Sequence, residues 1–324
     1  MNKITGLLTA AALGVGISSA AQAQNWDMPT PYSDAVFHTA NIIEFAADVK
    51  AATGGTLDIT VHSAGSLFKH ADIKNAVRDR QVQIGEFFLS RLSNEDAAFG
   101  LDSQPFLAAS YDEAARLWKA QKPVITELLA KQNLMPLFAV PWPAQGLYTK
   151  KEIKTVDDLA GLKFRAYNAA LESFATLAGA APTQVEAPDI PQAFATGQVE
   201  AMITSPSTGA SSKAWDFLSH YTPINAWVPK NIVVVNKQVF DALDADTQAA
   251  ILAAAAAAEK RGWEMSKAEA EAKTKIMQDN GIIVVEPSAE LMAGLKAIGD
   301  KMLADLQANA SDEAKAIIAE YSAN

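Results

Sequence analysis

Gly161-Leu162-Lys163-Phe164-Arg165-Ala166-Tyr167-Asn168 is the stretch on which the reading of this chain turns. The apolar pair Leu162 and Phe164 predicts a short strand that Arg165 ends, and a helix is predicted to start at Asn168. A guanidinium set beside the free N–H groups of a helix start is suited to holding a carboxylate. The planar fork matches two oxygens and the helix N-terminus favours negative charge. A lone strand-end arginine more often pairs with a surface acid, so its meaning depends on the rest of the chain.

Upstream, Lys3, an apolar segment from Ile4 to Ile17 and the tripeptide Ala21-Gln22-Ala23 follow the order of a secretory signal peptide, with Gln24 as the first mature residue. No later segment reaches the ~20 uninterrupted apolar residues of a spanning helix. Even Ala253 to Ala258 is flanked by Asp246, Glu259, Lys260 and Arg261. Loss of Lys3 changes the formal net charge from −10 to −11, leaving an acidic surface that repels nucleic acid and anionic lipid. The chain has no cysteine, which removes disulfides, thiolate metal sites and cysteine nucleophiles together. Its 324 residues, 49% of them hydrophobic, exceed what one core usually encloses, so two domains are expected.

Seven short β-like runs, at 57–61, 82–88, 137–140, 162–165, 199–204, 232–235 and 282–285, alternate with helical patterns and predict an α/β protein. An internal echo relates two of them. Ile73, Ala76, Gln81 and Val82 recur at one offset as Ile190, Ala193, Gln198 and Val199, with Arg80 facing Gly197. Each copy predicts a helix, a turn and a strand, ending on the tips Glu86-Phe87-Phe88 and Ile203-Thr204-Ser205. Strand ends in open α/β sheets are where ligands bind. From Asp246 to Gln278 the composition is helical, with Gly262 the single glycine, and such a helix would approach ~50 Å. It is read as a strut shared by both domains; a coiled coil lacks its heptad of large side chains.

Enzyme readings find little support. His38, His62, His70 and His220 lack the i, i+4 spacing of a helical zinc pair, and no G-x-S-x-G, G-x-G-x-x-G or P-loop pattern occurs. The acid pairs Glu95-Asp96 and Asp157-Asp158 read as helix caps or solvated groups. No metal ligand set and no cofactor motif is read.

Together these features resemble the periplasmic solute-binding proteins of tripartite ATP-independent periplasmic (TRAP) transporters, the DctP-like family. The resemblance covers the mature chain and rests on three segments: Asp158 to Asn168, Gly179-Ala180-Ala181-Pro182-Thr183, and Ala193 to Ala201. It implies a two-domain α/β periplasmic solute-binding fold with hinge strands and a long helix spanning both domains. The divisions expected are a leader at 1–23, one domain from 24–142 with 231–272, and another from 143–230 with 273–324. It implies, too, that Arg165 clamps a ligand carboxylate, that Asn168 lines the pocket, and that Thr204 and Ser205 add contacts.

Departures from the family pattern narrow the ligand. Where the sialic-acid group carries a second arginine, Gln145 stands here, and a neutral amide cannot match a second carboxylate. Small hydroxyls at Thr204 and Ser205 replace a charged and amide pair. The ligand expected is an organic acid anion, a monocarboxylate with hydroxyl, keto or aromatic character. Phe87 or Phe88, Trp142 and Trp227 are candidate walls, of which period-two alternation admits only one of the two phenylalanines. Glu86 and His38 are further candidates at the cleft. The protein is expected in the periplasm, a monomer that hands its ligand to TRAP membrane permease subunits, the alternative being delivery to a sensory receptor.

Overall fold

The computed structural model describes residues 24–323, so the predicted leader lies outside the described residues. The strands are β1 (Gln24–Pro29), β2 (Leu57–His62), β3 (Ile84–Phe88), β4 (Leu134–Pro141), β5 (Gly146–Thr149), β6 (Lys163–Ala166), β7 (Ala181–Gln184), β8 (Ala201–Thr204), β9 (His220–Thr222), β10 (Lys230–Asn236) and β11 (Ile283–Val284). The helices are α1 (Phe37–Ala52), α2 (His70–Arg78), α3 (Tyr111–Ala130), α4 (Ala169–Leu177), α5 (Ile190–Ala195), α6 (Pro206–Ser211), α7 (Lys237–Asp241), α8 (Ala245–Asp279), α9 (Ala289–Asn309) and α10 (Asp312–Ala323). All seven predicted strand runs are present. β1, β5, β7 and β9 are additional: β7 and β9 are short strands that carry little apolar alternation of their own.

Two halves result. In the first, the antiparallel sheet β3-β10-β4 and the parallel pair β1-β2 are packed by α1, α2 and α3. In the second, a six-stranded sheet runs β11-β9-β5-β8-β6-β7, with β5 antiparallel to both neighbours and the other pairs parallel. Each half buries its own apolar clusters, Phe45, Phe138 and Val233 among the first and Phe164, Phe174 and Leu291 among the second. This is the two-domain α/β organisation the sequence implies.

The chain crosses between halves after β4 and again before β10, and the two crossings are laced together. Trp142 N donates to the Pro229 carbonyl at 2.7 Å, Gln145 N to the Trp227 carbonyl at 3.0 Å, and Ala226 N to the Gln145 carbonyl at 2.9 Å. The paired crossings form the joint between the halves, the place where a hinge lies in a two-domain fold. At the return, Lys230 is fully buried, its Nζ 3.5 Å from the equally buried Asp102 carboxylate, which also accepts from Lys230 N at 2.9 Å.

The echo is structural. After α2, Arg80 adopts φ +60°, and after α5, Gly197 adopts φ +68°. In both copies the next residue closes the turn, Gln81 N to Ala76 O at 2.8 Å and Gln198 N to Ala193 O at 2.9 Å. The left-handed position is relaxed in glycine and strained in arginine.

The 35-residue α8, ~52 Å long at 1.5 Å per residue, packs on α1 and β4 at one end and on α6 toward the other. Its start is capped by Asp244, which accepts from Thr247 N at 2.8 Å. Asn41 Nδ2 donates to the Ala258 carbonyl at 3.0 Å, and Arg261 Nε donates to Asn41 Oδ1 at 2.8 Å. The C-terminal stretch differs from the division expected. α9 packs Leu291 and Leu295 into the second half, but α10 places Ile317 and Ile318 in the core of the first, against α3. An apolar face on the last helix has no signal in sequence that says which core it joins.

Gly262 marks the closest approach of the strut. A Cβ there would lie 2.4 Å from Val140 Cγ2 and 2.8 Å from Asn41 Nδ2. Alanine gains about 1 kcal/mol of helix propensity over glycine, yet overpacking against a β-branched strand residue costs about 1–3 kcal/mol. Gly262→Ala is therefore expected to lower stability in urea unfolding, against the propensity trend; a more stable variant would show that the helix does not seat on β4 as described.

Candidate functional site

Burial of Phe164 and Ala166 in the second half's core turns Arg165 to the opposite face of β6. There it enters a cavity between the halves. The first half and hinge contribute Tyr32, His70, Phe88 and Trp142. The second contributes Gln145, Arg165, Tyr167, Glu186, Ala187, Thr204, Ser205 and Thr208.

Arg165 is 3% exposed. Its Nε donates to the Val185 carbonyl at 2.9 Å and its guanidinium carbon lies 5.0 Å from the centre of the Tyr167 ring. Among the described residues no carboxylate stands within ion-pair distance of it. Burial lowers its pKa to about 10, partly opposed by Tyr167, Glu186 and Tyr32, so it stays charged at neutral pH.

The aromatic walls are held from behind. Phe88 and Tyr167 meet edge to face at 5.4 Å, and Tyr32 meets Trp142 likewise at 5.0 Å. Asn231 Oδ1 accepts from Trp142 Nε1 at 2.9 Å and from the Tyr32 hydroxyl at 3.3 Å, while its Nδ2 donates to Glu86 Oε1 at 3.1 Å. Glu86 Oε2 accepts from the Thr30 hydroxyl at 2.6 Å. A second relay runs from Trp227 Nε1 to the Tyr167 hydroxyl at 2.9 Å, from that hydroxyl to Gln145 Oε1 at 3.1 Å, and from Gln145 Nε2 to the Pro143 carbonyl at 2.7 Å.

Of the residues expected at the site, Arg165, Trp142, Gln145, Phe88, Thr204 and Ser205 line the cavity. Phe87 turns away into the first half's core. Glu86, His38 and Trp227 sit one layer back. His38 lies tilted against Trp142 with ring centres 4.2 Å apart, and its Nδ1 is 3.5 Å from Glu86 Oε1, outside hydrogen-bond geometry. Burial lowers its pKa, against the pull of Glu86, leaving it neutral. Asn168 is placed differently from the expectation. Its Oδ1 caps α4 by accepting from Leu171 N at 2.9 Å and its Nδ2 donates to Ser90 of the first half at 2.8 Å. The helix start expected to serve a ligand is thus occupied by its own cap. The helix whose start does face the cavity is α6, through its cap Ser205 and through Thr208.

Sequence reasoning missed Tyr32, His70, Tyr167, Glu186 and Thr208. Tyr167 was within reach, two residues past Arg165 in the motif itself. Nothing local marks Glu186, which becomes visible only when the halves meet. Its Oε1 accepts from Arg91 Nη1 at 2.8 Å and its Oε2 lies 3.2 Å from His70 Nδ1, both from the first half. Phe88 N donates to His70 Nε2 at 3.0 Å. That fixes the neutral tautomer with its proton on Nδ1, donated to Glu186. Burial lowers the His70 pKa, partly opposed by the Glu186 contact.

Two halves meeting over a cavity with one buried guanidinium define a solute receptor of the binding-protein class. The chain belongs to the bacterial extracellular solute-binding protein family 7, DctP, whose model matches residues 30–309. DctP7, a Bordetella pertussis extracytoplasmic solute receptor binding pyroglutamic acid, is 41% identical over 93% of this chain and all of its own, with a TM-score of 0.91. A marine metagenome TRAP solute-binding protein specific for pyroglutamate is 42% identical over 94% of this chain and all of its own, also at 0.91. The Rhodobacter capsulatus C4-dicarboxylate-binding periplasmic protein DctP is 24% identical, with 83% of each chain covered. These relatives are binding proteins, not enzymes.

The latch on Glu186 has a pH signature. Burial works to raise its pKa, but the His70 hydrogen bond and the Arg91 and Arg165 charges outweigh it and hold the carboxyl at about 2, below its ordinary 4.5. A depressed carboxyl stabilises fully above its ordinary value and loses that contribution as pH falls toward the folded one. The stability difference between wild type and Glu186→Gln should be constant from pH 6 to about 5 and shrink steadily between about 4.5 and 2.5, read by thermal melts. A difference that grows with acid would contradict the assignment.

Proposed function

We propose that this chain is the periplasmic receptor of a TRAP transporter, exported by its leader, that captures a compact monocarboxylate and delivers it to the membrane permease. Pyroglutamate, a five-membered lactam acid, is the ligand favoured. The observation that carries the reading is Arg165, buried in the cavity between the halves without a carboxylate from the protein. In a water-poor cleft a bidentate arginine–carboxylate pair is stronger than on the surface, and lysine would not reproduce the fork.

Charge supports one carboxylate and no more. Arg165 and Arg91 are positive, Glu186 negative and His70 neutral. One anion cancels the surplus; a second overshoots it. Ring walls at Phe88, Trp142, Tyr32 and Tyr167 suit a small flat ring, and hydroxyls at Thr204, Ser205 and Thr208 suit its polar edge. Relatives 41–42% identical bind pyroglutamate, which supports the same choice here. Capture then follows a simple order: the carboxylate meets Arg165, the hinge closes, and His70 and Arg91 fasten on Glu186.

Pyroglutamate at about 100 times its Kd should add roughly 2.7 kcal/mol of apparent stability to residues 24–324. In calorimetry Arg165→Ala should weaken binding by about 100-fold or more. A larger stabilisation by a dicarboxylate, or by a neutral sugar, would refute the reading.

A further inference from the structure

Glu186 is both a wall of the cavity and the residue to which the first half fastens. Each of its oxygens accepts one hydrogen bond from the first half, Oε1 from Arg91 and Oε2 from His70. A carboxylate has about four lone-pair sites, so two acceptor positions remain. His70 has none to offer a ligand, because its two nitrogens are engaged by Glu186 and by Phe88 N. Arg165 supplies donors only, its Nε bonded to the carbonyl of Val185, the residue before Glu186, and Glu186 is the one anionic group among the described lining residues. The cavity therefore offers a ligand donors at Arg165 and an acceptor at Glu186.

We propose that Glu186 is the specificity-determining residue of this site: it accepts a hydrogen bond from a donor beside the ligand's carboxylate-bearing carbon and repels a second carboxylate. The proposal rests on the monocarboxylate reading above and narrows it. A ligand with an N–H in its ring satisfies this acceptor. A keto acid or lactone presents only lone pairs there, which face a fixed negative charge, and a dicarboxylate presents a charge of the same sign. Because the same oxygens hold Arg91 and His70, a repelled group also works against the fastening of the halves, so discrimination and closure share one carboxylate.

The test compares pyroglutamate with 5-oxotetrahydrofuran-2-carboxylate, its analogue with ring oxygen in place of N–H, and with glutarate. Calorimetry would use residues 24–324 as wild type, Glu186→Gln and Arg91→Gln. A site built to pair an N–H should prefer the lactam over the lactone by at least about tenfold in the wild type, with glutarate weaker still. A glutamine can turn either its carbonyl or its amide to the ligand and carries no charge. In Glu186→Gln the lactam-to-lactone ratio should drop to within about threefold and glutarate should gain about tenfold relative to the lactam, whereas Arg91→Gln should weaken all three ligands and keep the lactam-to-lactone ratio. Loss of all three in equal proportion in Glu186→Gln would make the residue a fastener alone and overturn the proposal. The same holds if Arg91→Gln collapses the ratio as fully as Glu186→Gln. Failure of the underlying reading would appear separately, as a wild type that binds neither lactam nor lactone.

Discussion

A guanidinium held inside protein without an acidic partner is the constraint on which the rest of this structure depends. Removing one partner of a buried ion pair typically costs about 3–5 kcal/mol, because a charge is left uncompensated. Arg165 has such a surrounding: its Nε is tied to a backbone carbonyl, its face lies along Tyr167, and the one acid of the cavity, Glu186, is held by Arg91 and His70. The tie at Nε sets the plane of the fork in advance, so little ordering is left for the encounter with an anion. A protein keeps an arrangement of this kind where a ligand, rather than the chain, completes it.

The second requirement is that the cavity keep its shape while its halves move. Each wall has a support of its own. Asn231, at the start of the returning hinge strand, aligns Trp142 and Tyr32, and Glu86 and Thr30 align Asn231. Trp227, Gln145 and the Pro143 carbonyl hold Tyr167 on the other side. Both relays lie on the hinge itself, where Trp142 and Gln145 are also bonded through their backbones to the return crossing. The walls thus travel with the pivot, while Arg165 and Glu186 ride on the second half and His70 and Phe88 on the first. Arg165 and Glu186 thus share one frame, and the meeting of the halves sets Phe88 and His70 against them.

Much of this was legible before the structure, and the reasons are local. β6 and Arg165 announce themselves through one apolar pair and one charge, and α8 through composition alone. Trp142 between two prolines had to be a loop residue, and it is a cavity wall. The repeated Ile, Ala, Gln, Val pattern foretold two copies of one helix–turn–strand unit, whose tips, Phe88 and Thr204-Ser205, both reach the cavity. What sequence could not give is any feature made by two distant segments meeting. Glu186, His70 and Arg91 lie far apart in the chain and become a unit only on contact, and α10 joins the first core after the chain has left it. Asn168 shows a subtler limit. Its position after the motif is right for a pocket residue, but an asparagine there also makes a good helix cap, and capping together with Ser90 engages both ends of its amide.

The most direct test is a crystal structure of residues 24–324 with pyroglutamate bound. The account predicts the ligand carboxylate within hydrogen-bond distance of the terminal nitrogens of Arg165, between Phe88, Trp142 and Tyr167, with Glu186 still bridged to Arg91 and His70. A structure in which Arg165 pairs with a carboxylate of the protein, or turns out into solvent while the ligand lies elsewhere, would contradict it.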